Sequence, residues 1–116
     1  MNIEELREYC LSKKGTSEGF PFGENTLVFK VKEKIYLIAS LNRLFLQFNV
    51  KCNPEKAVEL REQYLAIQPG YHMNKKHWNT IIVDGTLSKK LIKEMIDISY
   101  LLIVQAIPNK EKRGLI

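Results

Sequence analysis

The side chains best suited to binding chemistry lie in one short segment of this chain, residues 72 to 80. It holds two imidazoles, two ammonium groups, two amides and one indole, from His72, Asn74, Lys75, Lys76, His77, Trp78 and Asn79. Cations that contact phosphates, beside flat polar groups and an aromatic ring, are typical of surfaces that bind nucleic acid. The segment therefore predicts a polyanion-binding surface without a code for any base sequence.

No catalytic constellation can be assembled from the sequence. Nucleophilic catalysis needs a nucleophile beside a base, and acid–base catalysis needs groups whose pKa values are set apart. Asp84 precedes Gly85 and is interpreted as a turn residue, while Ser88 is interpreted as a helix cap. Cys10 falls on a predicted core face. We therefore expect a protein that is not an enzyme.

Metal binding has a weak basis in the sequence. His72 and His77 are five residues apart, a spacing that fits neither a helical pair nor one strand face, and no nearby Cys, Asp or Glu completes a ligand set. We expect His77 to bond a backbone carbonyl, and we expect no cofactor. Partial protonation of an imidazole would raise anion affinity modestly below about pH 6.5.

Composition indicates one ordinary globular domain. The 116 residues carry 18 Lys and Arg against 13 Asp and Glu, a net charge of +5 that permits attraction to nucleic acid without requiring it. The apolar stretch from Ile98 to Ile107 is too short to cross a bilayer, and the acidic amino terminus does not resemble a secretory signal. We expect a cytoplasmic monomer, with residues 1–116 as one domain and 110–116 as its charged tail.

Helical spacing of apolar residues predicts three helices. The first begins near Ile3 and ends at Gly15. The second begins at Asn53, which can cap free N–H groups ahead of a proline. The third begins at Ser88 and ends before Pro108. The two cysteines lie far apart in sequence and are expected to be free thiols.

Period-two alternation predicts four strands. They are Thr26 to Val31, Lys34 to Leu41, Leu44 to Val50 and Trp78 to Val83. Short breaks at Lys32-Glu33 and Asn42-Arg43 predict hairpins. The segment from Thr16 to Asn25 is predicted to be a connector pinned by Phe20 and Phe22. The order α-β-β-β-α-β-α indicates an α+β domain, in which helices pack on one face of an antiparallel sheet and the other face stays available.

Five segments spread over most of the chain resemble a known family. They are Phe20-Pro21-Phe22-Gly23, Lys51-Cys52-Asn53-Pro54-Glu55, Met73 to Thr80, Asp84-Gly85-Thr86-Leu87 and Asp97-Ile98-Ser99-Tyr100. Together they are similar to the MmcQ/YjbR family of small bacterial proteins. The resemblance implies a fold similar to the CyaY-like arrangement, with a double-wing motif and a DNA-binding role.

The resemblance also implies candidate site residues. The family motif falls on Asn74, Lys75, His77, Trp78 and Thr80, with Lys51 as the basic residue before the second helix. Lys76 is added for its charge and Arg43 for its place on the hairpin side of the sheet. The predicted nucleic-acid-binding residues are therefore Lys51, Asn74, Lys75, Lys76, His77, Trp78 and Arg43.

Three other interpretations stay open. The lysines of the segment could simply be solvated, with Trp78 beginning a strand. The CyaY-like fold is also that of frataxin-type iron proteins, which use an acidic first helix, so Glu4, Glu5 and Glu8 allow a protein-interaction or metal-handling module. The apolar end of the third helix, Leu101 to Ile107, could support self-association.

Overall fold

The computed structural model describes residues 1–115, and the last residue of the predicted charged tail, 110–116, lies outside them. This part of the chain forms three helices, six strands and a short 3-10 helix at Asn109–Glu111. The helices are α1 (Ile3–Leu11), α2 (Pro54–Gln63) and α3 (Lys89–Ala106). The strands are β1 (Thr16–Gly19), β2 (Thr26–Val31), β3 (Lys34–Ser40), β4 (Leu46–Lys51), β5 (Ile67–Pro69) and β6 (Trp78–Val83).

All six strands form one antiparallel sheet in the order β1-β2-β3-β4-β6-β5. The predicted α+β fold class is confirmed, and two short edge strands are added to the predicted order. β1 reads Thr-Ser-Glu-Gly, which has no apolar alternation. β5 has only three residues and ends on a proline. Neither strand carries the period-two signal from which the other four were predicted.

The helices bury their apolar residues in one core against the sheet. α3 contacts β2, β3 and β4, while α1 contacts β1, and α2 contacts β5 and β6. Phe29, Leu37, Phe48 and Ile81 are fully or almost fully buried strand residues of this core. Within residues 1–115, no helix is long and apolar enough to span a membrane.

Helix caps confirm the predicted helix starts. The side chain of Asn53 accepts a hydrogen bond from the backbone N–H of Lys56 at 2.8 Å. Ser88 Oγ accepts one from Leu91 N–H at 3.1 Å. Each cap satisfies a donor that the first helical turn leaves without a partner.

The connector before β2 differs from the prediction. Phe20 and Phe22 are 51% and 64% exposed, so the prediction that two rings pin this segment is wrong. Backbone pairing holds the segment instead, since Thr16–Gly19 pairs with Val28 to Val31 of β2. The two rings are therefore left on the surface.

A serine hydroxyl joins α3 to two strands. The last backbone pair between β3 and β4 is Leu37 with Val50. Beyond it, Ser99 Oγ accepts a hydrogen bond from Lys51 N–H at 2.8 Å and donates one to the Tyr36 carbonyl at 2.6 Å. Ser99 is fully buried. Its hydroxyl thus replaces the next link between the strands, which would otherwise leave two backbone groups unsatisfied.

A charged and aromatic cluster joins α1 to α3. Lys13 Nζ forms an ion pair with Asp97, whose Oδ1 also accepts a hydrogen bond from Tyr9 OH. The same ammonium lies 4.7 Å from the Tyr9 ring centroid and 5.3 Å from that of Tyr100. Burial and the bond to Asp97 raise the pKa of Tyr9 to about 12. The cluster fixes the two helices relative to each other.

Replacing Ser99 by alanine should destabilise the fold. The variant leaves Lys51 N–H and the Tyr36 carbonyl without their partner, and an unsatisfied buried group costs about 1 to 3 kcal/mol. Alanine favours a helix slightly, so that the measured loss is net of a small gain. Urea unfolding measures the difference, with Ser17→Ala on the exposed β1 position as the control. Equal unfolding midpoints for the two variants would contradict the bridging role.

The stability of the fold should fall at alkaline pH. Burial raises the pKa of the Cys10 thiol from its ordinary 9.0 to about 12, so the folded state holds this proton more tightly than the unfolded state. The resulting stabilisation is complete below pH 9.0 and is lost as the pH rises towards about 12. Unfolding midpoints across this range measure the decline, which should be smaller in Cys10→Ala. A flat profile in the parent protein would contradict the burial.

Candidate nucleic-acid interface on the open sheet face

The loop of residues 70–77 joins β5 to β6 and folds over the sheet face that the helices leave open. The Tyr71 backbone N–H donates to Thr80 Oγ1 at 2.9 Å, and Asn49 Nδ2 donates to the Tyr71 carbonyl at 3.2 Å. Thr80 Oγ1 also donates to Asn49 Oδ1. Asn49 and Thr80 face each other across β4 and β6, and each lies between two buried residues of its strand. Both backbone groups of Tyr71 are therefore latched to the open face.

A second set of bonds reaches the loop from α2. Arg61 Nε donates to Asn79 Oδ1 at 2.6 Å, and its Nη2 donates to the carbonyls of Lys75 and, at 3.4 Å, Trp78. Asn79 is almost fully buried and donates in turn to the Ala57 carbonyl at 3.3 Å. The loop is thus bonded from both sides of the sheet, which fixes its conformation.

Gly70 allows the two ends of the loop to meet. Its N–H donates to the Trp78 carbonyl at 2.9 Å. A Cβ atom at Gly70 would lie 2.8 Å from Trp78 Cβ and 2.9 Å from the Trp78 carbonyl oxygen, so that any other residue would displace the strand. Lys75 Nζ donates to the Gly70 carbonyl at 3.2 Å, and Asn74 Oδ1 accepts from Lys76 N–H at 3.0 Å.

Two adjoining depressions lie on the open face beside this loop. The larger one, which we name the ring depression, has a volume of about 560 Å³ and a lining that includes Phe22, Asn25, Asn42, Arg43, Tyr71 and His72. The other, which we name the lysine depression, has a volume of about 410 Å³ and a lining that includes Arg43, Gln47, Gln68, Tyr71, Lys75 and Thr80. Arg43 and Tyr71 line both, so the two depressions are neighbours, and we name the two together the track.

The electrostatics of this track are one-sided. Among the residues that the structure describes, neither lining includes an Asp or Glu. The four salt bridges of residues 1–115 involve neither Arg43 nor Lys75. The Arg43 guanidinium lies 5.3 Å from the Tyr71 ring centroid, and the ammonium of Lys75 contacts only a neutral carbonyl in the bond described above. Both positive charges are therefore available to an anion.

A left-handed residue lies in the same loop, as Lys32 and Glu33 do in the turn between β2 and β3. The rings of Tyr71 and His72 have centroids 4.0 Å apart and planes inclined at 51°. His72 has a φ of +58°, in the left-handed region that residues other than glycine seldom adopt. The preceding residue, Tyr71, is held by the latch through both of its backbone groups.

The predicted site residues separate into three groups. Arg43 and Lys75 come together on the track. Asn74, Trp78 and Thr80 shape the loop through the bonds described above. Lys51 lies opposite Trp78 in the sheet register, Lys76 is exposed, and the His77 carbonyl accepts a hydrogen bond from Cys52 N–H at 2.8 Å. Lys51, Lys76 and His77 do not line either depression.

Several residues of the track were not among those predicted from the sequence. They are Phe22, Asn25, Asn42, Asn49 and Tyr71. The available signal was weak: Phe22 and Asn25 stand in a segment rich in glycine, and Tyr71 follows a Pro-Gly pair. An aromatic ring within a turn segment can be a surface group as well as an anchor.

The structure also shows how the side chains that could bind a metal ion are arranged. In the range 1–115, no group of three or more His, Cys, Asp and Glu side chains lies close enough to hold a metal ion. Glu5 of the acidic first helix forms a salt bridge with Lys89 at 2.8 Å, and this bond lowers the pKa of the Glu5 carboxyl. The first helix therefore does not offer three unengaged carboxylates.

Comparison with known proteins gives a consistent family assignment. The model of the YjbR family matches residues 11–102. The uncharacterised Escherichia coli protein YjbR is 29% identical over 116 residues, which cover 100% of this chain and 98% of YjbR. The uncharacterised protein YbdF of Escherichia coli O157:H7 is 34% identical over 94 residues, which cover 81% of this chain and 77% of YbdF.

Solved structures show the same fold. The Deinococcus radiodurans protein DR2400, a DUF419 domain, superposes with a TM-score of 0.93 at 37% identity, covering 98% of this chain and 87% of that chain. A Pseudomonas syringae protein superposes with a TM-score of 0.78 at 27% identity, covering 89% of this chain and 99% of that chain.

Replacing Thr80 by valine should release the latch on Tyr71. The variant keeps the shape of the side chain but removes the acceptor of Tyr71 N–H and the donor to Asn49. Amide exchange at Tyr71, followed by NMR, should become faster by about tenfold, the equivalent of about 1.4 kcal/mol of lost protection. Thr86→Val is the control, because Thr86 lies in the exposed turn after β6. Unchanged exchange at Tyr71 in Thr80→Val would contradict the latch.

Proposed function

This chain belongs to the YjbR family, and we propose that it binds nucleic acid, with DNA as the expected ligand, and catalyses no reaction. The ligand lies on the open face of the sheet along the ring and lysine depressions. Binding is weak and largely independent of base sequence. The protein acts as a monomer in the cytoplasm.

One observation carries this proposal. Arg43 and Lys75 come from two different loops, one before β4 and one before β6, and border the same track, whose described lining has no carboxylate. Free cations around a groove attract phosphates and release the counterions condensed on a nucleic acid. The turn before β4 supplies Arg43, which supports that hairpin as one wing of the double-wing motif expected from the family resemblance.

The small number of cations limits the affinity. Each phosphate that is neutralised contributes about 0.9 to the logarithmic salt slope on duplex DNA and about 0.7 on a single strand. The track has two cations, joined at most by Lys51 and Lys76. The electrostatic part of the affinity and the salt slope are therefore small. Phosphate contacts fix position but carry no base information, which accounts for the low sequence preference.

Removing the two cations should flatten the salt dependence of binding. Fluorescence anisotropy with labelled oligonucleotides across a salt series measures the slope for the parent protein and for Arg43→Ala with Lys75→Ala. Each substitution should lower the slope by about 0.7 on a single strand and about 0.9 on a duplex. The affinity of the variant at low salt should also be lower than that of the parent protein.

The control replaces two other lysines, Lys90→Ala with Lys110→Ala. Both are exposed, and they lie on α3 and on the 3-10 helix. This variant has the same net charge as the first one, so any loss caused by total charge alone appears equally in both. Equal slopes for the two variants, or no binding at low salt in the parent protein, would contradict the proposed function.

A further inference from the structure

We infer that the nucleic acid on this face is single-stranded, with an unpaired base seated in the ring depression. The inference rests on the proposed function and adds the substrate class. It is carried by groups on the track that a phosphate backbone alone would not use. These groups are exposed rings and unoccupied amides.

The rings are the first of these groups. Phe22 is 64% exposed and Tyr71 is 51% exposed, and both line the ring depression together with the imidazole of His72. Large apolar rings held at the surface favour a partner that covers them. A base can stack on such a ring only when it is unpaired, because in a duplex both of its faces are covered by neighbouring base pairs.

The side-chain amides are the second of these groups. Asn25 and Asn42 are exposed residues of the same lining, and within residues 1–115 no hydrogen bond engages either side chain. Asn49, by contrast, is occupied by the latch on Tyr71. A primary amide both donates and accepts, as does the edge of every base. The two amides can therefore hydrogen-bond the edge of a base whose face stacks on the rings.

The shared border of the two depressions supplies the third argument. Arg43 and Tyr71 border both depressions, so a base in the ring depression has a cation beside it and Lys75 further along. The volume of about 560 Å³ lies within the range of sites that hold a small molecule, so the depression has room for one base. Charge complementarity thus selects a polyanion, and the exposed rings select an unpaired one.

An acidic peptide is the other polyanion that this track could attract. Its carboxylates would satisfy Arg43 and Lys75, but it would leave the rings and the two free amides without a flat partner. The combination of cation, ring and amide around one depression favours the nucleic acid strand.

The test uses the full chain and three labelled probes of equal length: a single strand of deoxythymidine, the same strand without bases, and a duplex. We expect the single strand to bind most tightly. Tyr71→Leu removes the ring but leaves the latch, which uses backbone atoms. It should weaken single-strand binding by about 5- to 150-fold and leave the abasic strand unchanged.

A neighbouring pair of phenylalanines gives a matched control. Phe20 and Phe22 are similarly exposed, but only Phe22 lines the depression. Phe22→Leu should weaken single-strand binding, whereas Phe20→Leu should not. Equal losses in the two variants would overturn the inference.

The outcomes separate this inference from the function on which it rests. Equal binding of the single, abasic and duplex probes would overturn the inference and keep the proposed function, since cations alone would then account for the affinity. Absence of binding to all three at low salt would overturn both. Polyglutamate that competes as well as an unlabelled single strand would overturn the inference.

Discussion

The fold depends on one requirement. Where β3 and β4 separate, the backbone N–H and carbonyl groups that no longer bond each other need another hydrogen-bond partner. Ser99 meets it from α3, because one hydroxyl accepts from one strand and donates to the other. This bond ties the longest helix to the middle of the sheet, and the hydrogen bond from Tyr9 to Asp97 ties the first helix to that helix in turn. The first and third helices are thereby held together against the sheet, and α2 packs beside them on β5 and β6. The opposite face of the sheet is covered in part by the loop of residues 70–77, which borders the two depressions.

The conspicuous segment from His72 to Thr80 has a different principal task from the one its composition indicates. Most of its polar groups hold the loop in place. Thr80 accepts a hydrogen bond from Tyr71 N–H, Asn79 accepts one from Arg61, and Asn74 closes a turn by accepting one from Lys76 N–H. Because polar side chains that bond their own backbone look the same in sequence as those that bind a ligand, composition alone does not separate the two roles. Among the cations predicted from this segment, only Lys75 borders the track.

Local signals account for what the sequence predicted correctly. The caps at Asn53 and Ser88 and the alternation in β2, β3 and β6 need no distant partner to be recognised. β1 and β5 were missed because a strand without alternation is defined only by the neighbour it pairs with. The track was predicted only in part for a related reason. Phe22, Arg43 and Tyr71 come from three separate turns, and only the order of strands in the sheet brings those turns together. No spacing in the sequence contains that information.

The outer strands of the sheet have a consequence for how the molecule behaves at high concentration. A sheet with one uncovered face and two free edges could recruit further strands from other copies and grow into fibres. Here one outer strand is short and polar, and the other ends at Pro69, which has no N–H to offer. Both edges are therefore poor templates for intermolecular pairing. The partly aromatic open face therefore belongs to a sheet whose edges offer few backbone groups for pairing with another copy.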